Sequence, residues 1–211
     1  MIGTRGTVSL PQEPLPALGR MMVFVDGENL VARYQAMLDS GRKPSHEVHH
    51  RPNVYVWSPG AVWPGMSVVL RATYYTYAVG SEEIVLEIAN EIRALTYVQY
   101  NPPGHHLAPR LGDTLYPKVL RKVKNSRNAK GVDIQLTVDV LSNAYQNNLD
   151  VVYLITGDGD YAPLIAECQR QGKQVFVAAL SSGLNQSLKV VADRFIDLDN
   201  YFVGPVDESA A

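Results

Sequence analysis

VVYLITGDGDYAPLIAECQRQGKQVFVAAL, residues 151–180, decides the fold. Val151 to Ile155 and Val175 to Leu180 are purely apolar runs, strand-sized and far short of a membrane span. Between them lie a GDGD turn, a helical segment from Tyr161 to Gln171, and Gly172 to close it. Two uninterrupted apolar strands joined by a helix imply a parallel sheet covered on both faces. In such sheets the site lies beyond the carboxyl ends of the strands. Asp158 and Asp160 directly follow the first strand and are therefore the first candidates.

The same alternation extends outward. Met21 to Val25 reads as a buried strand, closed by Asp26-Gly27-Glu28-Asn29 and followed by helical spacing from Leu30 to Leu38. Ser40 to Gly65 is rich in Pro, His and Gly and reads as a long excursion outside the core. Val68 to Tyr77 has strand composition; Ser81 to Leu95 opens on a Ser cap and repeats Ile84, Ile88 and Ile92. A short strand at Tyr97 to Tyr100 leads into a loop, Asn101 to Gly112, and a last helix and strand end near Leu198. The expectation is an α/β, three-layer fold with a mostly parallel central sheet flanked by helices. One domain spans residues 21–200 between tails at 1–20 and 201–211.

Composition narrows the function classes. The 211 residues are 46% hydrophobic, enough for a core, which argues against disorder. The net charge of −2 gives no overall sign of a nucleic-acid binder, so any such surface is local. A single cysteine, Cys168, excludes an internal disulfide and a cysteine-rich zinc site; a cytoplasmic location is the default expectation. No run has the length of a signal peptide core or a membrane span.

Val132 to Val140 alternates like a strand, but continued through Gln146 it places Gln135, Asp139, Ser142, Asn143 and Gln146 on one helical face. The helix is preferred. On that wheel Asp133 falls within the apolar face, where a carboxylate needs a cation or hydrogen-bond donors, and Asp139 reads as solvated. Asp26, Asp133, Asp158 and Asp160 then converge at one sheet edge. Their mutual repulsion would raise some pKa values unless divalent cations bound between them, and hard oxygen ligands select Mg²⁺ or Mn²⁺. Such ions serve phosphodiester hydrolysis. Each acid also has a plain local reading: Asp26 as a helix cap, Asp160 as the cap of the helix at Tyr161, Asp158 as a stiffener of its turn. A run of six bases without an acid, Lys118, Arg121, Lys122, Lys124, Arg127 and Lys130, is the local positive surface, read as a phosphate-backbone track.

FVDGENL, KGVDIQLTVDVL, YLITGDGDYAPLIAECQRQGKQVFV and NQSLKVVADRFIDL, in this order, resemble the NYN domain of the PIN-like nuclease superfamily, in its DUF88 or LabA-like branch. The resemblance runs from about Met21 to Leu198. It implies a PIN-like α/β sheet, Mg²⁺ or Mn²⁺ as cofactor, and single-stranded RNA as substrate. The family's acidic positions fall on Asp26, Asp133, Asp158 and Asp160, and its polar positions on Asn29, Lys130, Thr156 and Ser187. The expected activity is a metal-dependent ribonuclease leaving 5′-phosphate and 3′-hydroxyl ends, with Asn29, Thr156 and Ser187 in support. The alternative is a PIN-like RNA-binding or interaction module that turns over slowly or never. The long segments Arg42 to Gly65 and Asn101 to Asp113 exceed the short family pattern and are expected to shape substrate access.

Rival motifs fail. Gly157 to Ala162 fits G-x-G-x-x-A, but no acidic ribose partner follows the next strand and two aspartates in the loop would repel a pyrophosphate. Asp158-Gly-Asp160 alone is too short to specify a sugar-nucleotide site, and Ala162 and Pro163 break an EF-hand. His46, His49, His50, His105 and His106 read as loop residues and Cys168 as core. Trp57 and Trp63 suit base stacking, or pin a loop to the body or to a partner subunit, which leaves a homodimer open.

Overall fold

The computed structural model describes residues 19–98, 113–122 and 131–204. In chain order these form β1 (Gly19–Asp26), α1 (Gly27–Asp39), β2 (His49–Arg51), β3 (Tyr55–Trp57), β4 (Ser67–Val79), α2 (Glu82–Arg93), β5 (Leu115–Lys122), α3 (Gly131–Tyr145), β6 (Val151–Ile155), α4 (Ala162–Arg170), β7 (Gln174–Ala179), α5 (Ser187–Val191), β8 (Arg194–Asp197) and α6 (Asp199–Phe202). Six strands make one sheet in the order β5-β4-β1-β6-β7-β8, and every pairing in it is parallel. All six carboxyl ends therefore lie along one edge.

Period-two alternation divides the strand side chains between two cores. Met21, Val23 and Val25 of β1 face Leu30, Tyr34 and Met37 of α1 and Ile88 and Ile92 of α2. Phe24 faces the other way, with Val152 and Leu154 of β6, toward Leu136 and Val140 of α3, Leu164 and Cys168 of α4 and Leu188 of α5. This is the expected three-layer α/β arrangement. No helix among the described residues is long and apolar enough to cross a membrane.

Four local expectations are corrected. The excursion from Ser40 to Gly65 is built into the core: it holds the β2–β3 hairpin, and Val56, Trp57 and Ala61 are fully buried. The indole N–H of Trp57 donates to the Thr96 carbonyl at 2.8 Å, so one aromatic ring anchors the segment. Ser81 stands at the head of α2 but its side chain makes no cap hydrogen bond. Thr96 forms an isolated bridge with Thr114 in place of a strand beginning at Tyr97; residues 99–112 lie outside the described residues. The start of the basic run is itself a strand, β5, which pairs with β4 from Ala72↔Leu115 to Val79↔Lys122 and has no partner strand on its outer side among the described residues.

The helical reading of residues 132–146 holds, with a different buried face. Val132, Leu136, Val140 and Ala144 are buried at four-residue spacing, whereas Ile134 and Val138 are more than half exposed. Asp133 is consequently exposed, contrary to the wheel. Asp139 is not solvated either: its carboxylate accepts hydrogen bonds from the Tyr75 hydroxyl at 2.7 Å, from Gln135 Nε2 at 3.0 Å and from the Lys118 ammonium. Burial alone would raise this carboxyl, and those donors outweigh it, leaving Asp139 below its ordinary range. The apolar residues of α3 occupy two faces, and packing against β1, β4 and α4 selects which one is covered.

Candidate active site

Asp26 ends β1 and caps α1. Its Oδ1 accepts from the Asn29 backbone N–H at 3.1 Å and its Oδ2 from the Thr156 hydroxyl at 2.9 Å. The capping reading and the site reading thus apply to the same side chain. Only 3% of Asp26 is exposed. Burial pushes its carboxyl up to about 6 against the pull of those two donors, and the nearby charges of Asp133 and Asp158 push it further in the same direction.

The loop after β6 is tied to this turn by its own backbone. The Asn29 Oδ1 accepts from the Gly157 N–H at 2.9 Å, and the Thr156 hydroxyl oxygen accepts from the Asp158 N–H at 3.2 Å. Asp158 in turn accepts from the Asp160 N–H at 3.0 Å, heading a single turn of 3-10 helix at Gly159–Tyr161. Asp158 is therefore the cap, and the carboxylate of Asp160 stands exposed beside it. The glycine between them lies against the Asn185 side chain: a Cβ at Gly159 would come within 2.0 Å of its Nδ2 and displace it.

Asp133, Asp158 and Asp160 line one hollow of about 290 Å³, together with Ile134, Val138 and Tyr161. The Tyr161 hydroxyl donates to Asp133 at 3.2 Å; burial first, then the charges of Asp26 and Asp133, raise its pKa and keep it a donor. Asp26 lies outside this lining, and the charges of Asp133 and Asp158 act on it. Among the described residues no three acidic, His or Cys side chains converge closely enough to hold a metal ion as they stand. The donor set nonetheless suits a hard cation: every candidate is a carboxylate, and one of them is pushed up by burial and by its acidic neighbours.

The other candidates are placed unevenly. Asn29 and Thr156 bind the framework just described. Ser187 is exposed at the start of α5, where its N–H donates to the Asn185 side chain at 3.0 Å. Lys118 is committed to Asp139, and Arg121 Nε donates to the Gly80 carbonyl at 3.0 Å. Lys122, at the carboxyl end of β5, lies 4.5 Å over the Tyr77 ring and acts on Glu28. Lys124, Arg127 and Lys130 lie outside the described residues.

Two residues at this edge escaped the sequence reading. Glu28 is raised by burial and by Asp133, with Lys122 pulling it down; its signal was its place inside Asp26-Gly27-Glu28-Asn29. Arg33 lies one turn of α1 beyond Asn29, with its guanidinium packed against Gly183 in the β7–α5 loop, and its buried Nε has no hydrogen-bond partner. A Cβ at Gly183 would meet that guanidinium at 2.2 Å. Nothing in the sequence spacing links positions 33 and 183. Gly157 adjoins the same loop, since a Cβ there would lie 3.9 Å from the Gly183 carbonyl oxygen. The segment Arg42 to Gly65, expected to shape access, instead carries Gly60, Trp63 and Gly65 to the opposite end of the sheet.

A solved structure of a protein of unknown function from Vibrio parahaemolyticus matches with a TM-score of 0.54 at 19% identity, covering 89% of this chain and 97% of that one. The likeness is one of fold. An uncharacterized protein of Methanocaldococcus jannaschii is 29% identical over 75 residues, covering 36% of this chain and 31% of that protein. The chain thus spans less than a third of that relative's length. The model of the NYN domain family matches residues 20–199, which takes in every described element from β1 through β8 and all the candidate acids. With a six-stranded parallel sheet of the PIN-like kind and that match across most of its length, the chain belongs to the NYN domain family.

Proposed function

We propose that the chain is a metal-dependent ribonuclease that hydrolyses phosphodiester bonds of single-stranded RNA, leaving 5′-phosphate and 3′-hydroxyl ends. NYN membership points to a nuclease superfamily. The observation that carries the finer reading is Asp26, a carboxylate buried at the sheet's carboxyl edge and pushed up to about 6 beside Asp133 and Asp158. A fold retains such a group at a cost, and the cost is relieved where a cation or a proton joins it. The LabA-like assignment rests on the four sequence motifs, and a cytoplasmic setting suits the single buried Cys168.

In this reading Asp26, Asp133, Asp158 and Asp160 hold Mg²⁺ or Mn²⁺, which supplies charge neutralisation and an activated water when bound. Asn29 and Thr156 fix the Asp26 carboxylate and the Asp158 loop relative to each other. Tyr161 tethers Asp133 through a single hydrogen bond. Lys122 on the β5 side and Arg33 on the β7 side present cations on either flank of the acids, suited to the phosphates next to the scissile one.

A second reading, an RNA-binding module that turns over slowly or never, draws on one observation: both Asp26 oxygens already accept hydrogen bonds, and no three ligands converge among the described residues. Incubating wild type and Asp158→Asn with labelled single-stranded RNA, in Mn²⁺ or Mg²⁺ and then in EDTA, separates the two. Metal-dependent cleavage by wild type alone is expected. Salt-dependent binding without cleavage would favour the module.

A further inference from the structure

The amino ends of the strands carry a second concave surface, at the opposite end of the sheet from the carboxylates. A hollow of about 1020 Å³ opens there, with Gly19, Ser67, Val151 and Gln174, all strand starts, on its lining. Its apolar wall is Trp63, Met66, Val98, Phe176 and Tyr201. Two glycines seat the rings: a Cβ at Gly60 would meet Tyr201 at 2.5 Å, and one at Gly65 would meet Trp63 at 3.0 Å. The rings lie close against these glycines, yet Trp63 and Tyr201 each remain 39% exposed, and Met66 and Val98 on the rim are 52% and 58% exposed. Exposed Trp, Tyr and Met around one hollow are the residue types that concentrate at protein interfaces.

The charges are self-complementary. The Arg194 guanidinium lies 4.6 Å from the centroid of Trp63 and 5.5 Å from that of Phe176, and among the described residues it makes no ion pair. A planar cation stacked in this way has its edge free to receive a carboxylate. The same hollow is lined by two acids, Asp150 and Asp193. Both Asp150 oxygens are taken up by Arg20, whereas Asp193 is exposed and only its Oδ2 is engaged, by the Val175 N–H, among the described residues. A patch that holds an unpaired guanidinium, an exposed carboxylate, projecting apolar side chains and a hollow can satisfy all four against itself. That is the requirement of a two-fold interface, in which each contact occurs twice.

We propose that this surface is the interface of a homodimer, with Met66 and Val98 of each copy entering the hollow of the other and Arg194 meeting Asp193 across the two-fold axis. The two carboxylate edges then face outward at opposite ends of the dimer, open to long substrates. The assembly is independent of the nuclease reading, since none of its residues belongs to the acidic edge.

Sedimentation velocity and light scattering on the full chain, over about a hundredfold range of concentration, test it. Wild type is expected to pass from monomer to twice the monomer mass. Trp63→Asp and Arg194→Glu, both at exposed positions, are each expected to raise the dissociation constant by about 30-fold or more, the loss typical of a central interface residue. Met66→Asp serves as a third variant if either folds poorly by circular dichroism. Ile134→Asp, an equal insult on exposed α3, leaves the dimer intact. A wild type that stays monomeric throughout overturns the proposal, as does a dimer that survives the hollow variants or yields only to Ile134→Asp.

Discussion

Replacing Asp26 with Asn is expected to stabilise the metal-free protein at pH 8 while abolishing cleavage. The carboxyl has an ordinary value of 3.8 and is pushed up to about 6 in the fold. That difference is worth roughly 3 kcal/mol between the two protonation states. The folded chain binds this proton more tightly than the unfolded chain, so the contribution favours folding most below about pH 4. It is lost as pH climbs through 6, and above that the ionised group is a constant burden. Asn removes the charge at nearly equal shape: its carbonyl accepts from the Asn29 N–H, and its amide faces the Thr156 hydroxyl, which must turn. Allowing about 1 kcal/mol for that rearrangement leaves a gain of about 1–3 kcal/mol at pH 8, or roughly 2–12 °C in Tm for a chain of this size. Urea denaturation in EDTA at pH 8 and at pH 4.5 measures it, with the increment shrinking toward zero at the lower pH. Adding Mg²⁺ should stabilise wild type and leave the variant where it was. An Asp26→Asn protein less stable than wild type at pH 8, or one shifted equally at both pH values, would refute the claim that the fold holds Asp26 against an electrostatic penalty.

Other outcomes follow from the same geometry. Asp139→Ala strips partners from a half-buried Lys118 and a buried Tyr75 hydroxyl and should cost about 2–4 kcal/mol in a denaturant melt; a loss under about 0.5 kcal/mol would return Asp139 to the surface role. Arg33→Gln should weaken RNA binding on the order of tenfold and flatten its salt dependence, since the guanidinium is the cation of the β7 flank; unchanged binding would make Arg33 a packing residue for Gly183. The Asp150 carboxyl, held down to about 2 by hydrogen bonds from Arg20, favours the fold above about pH 4 and loses that contribution as pH falls toward 2. The pair is half-exposed, so solvent screening leaves less than about 1 kcal/mol, and Arg20→Ala should remove that acid-limb slope from a plot of stability against pH.

What the sequence disclosed was whatever depends on local order. Runs such as Val151 to Ile155 are apolar on both faces because they are buried on both faces, so the parallel sheet was legible without any partner in view. Position along the chain also placed Asp26 and Asp158 at the carboxyl edge, since the first ends a strand and the second stands three residues beyond one. Strand β5 was not legible: its Lys118, Arg121 and Lys122 read as a charge run because an edge strand need not be apolar, and its Pro117 is tolerated there. Nor could α3 be oriented. Apolar residues sit on two of its faces, and the choice between burying Val140 and burying Val138 depends on where β1, β4 and α4 lie. Choosing the wrong face exchanged the environments of Asp133 and Asp139.

The exchange bears on how the site works. An exposed Asp133, tethered only by the Tyr161 hydroxyl among the described residues, can move toward a ligand at little cost, whereas Asp26, held by two donors from two elements, cannot. A fixed buried carboxylate beside exposed adjustable ones suits the proposed site, in which an incoming cation, and not the fold alone, would bring the ligands together. On the proposed metal-dependent reading, carboxylates that stand apart in this way would come together as the cation binds. Their separation also spares the fold the repulsion of four charges at contact, which Asp26, pushed up by burial, could least absorb. Had Asp133 been buried as the wheel suggested, the acids would have been locked at close range, and the fold would have carried their full repulsion whenever no cation was bound.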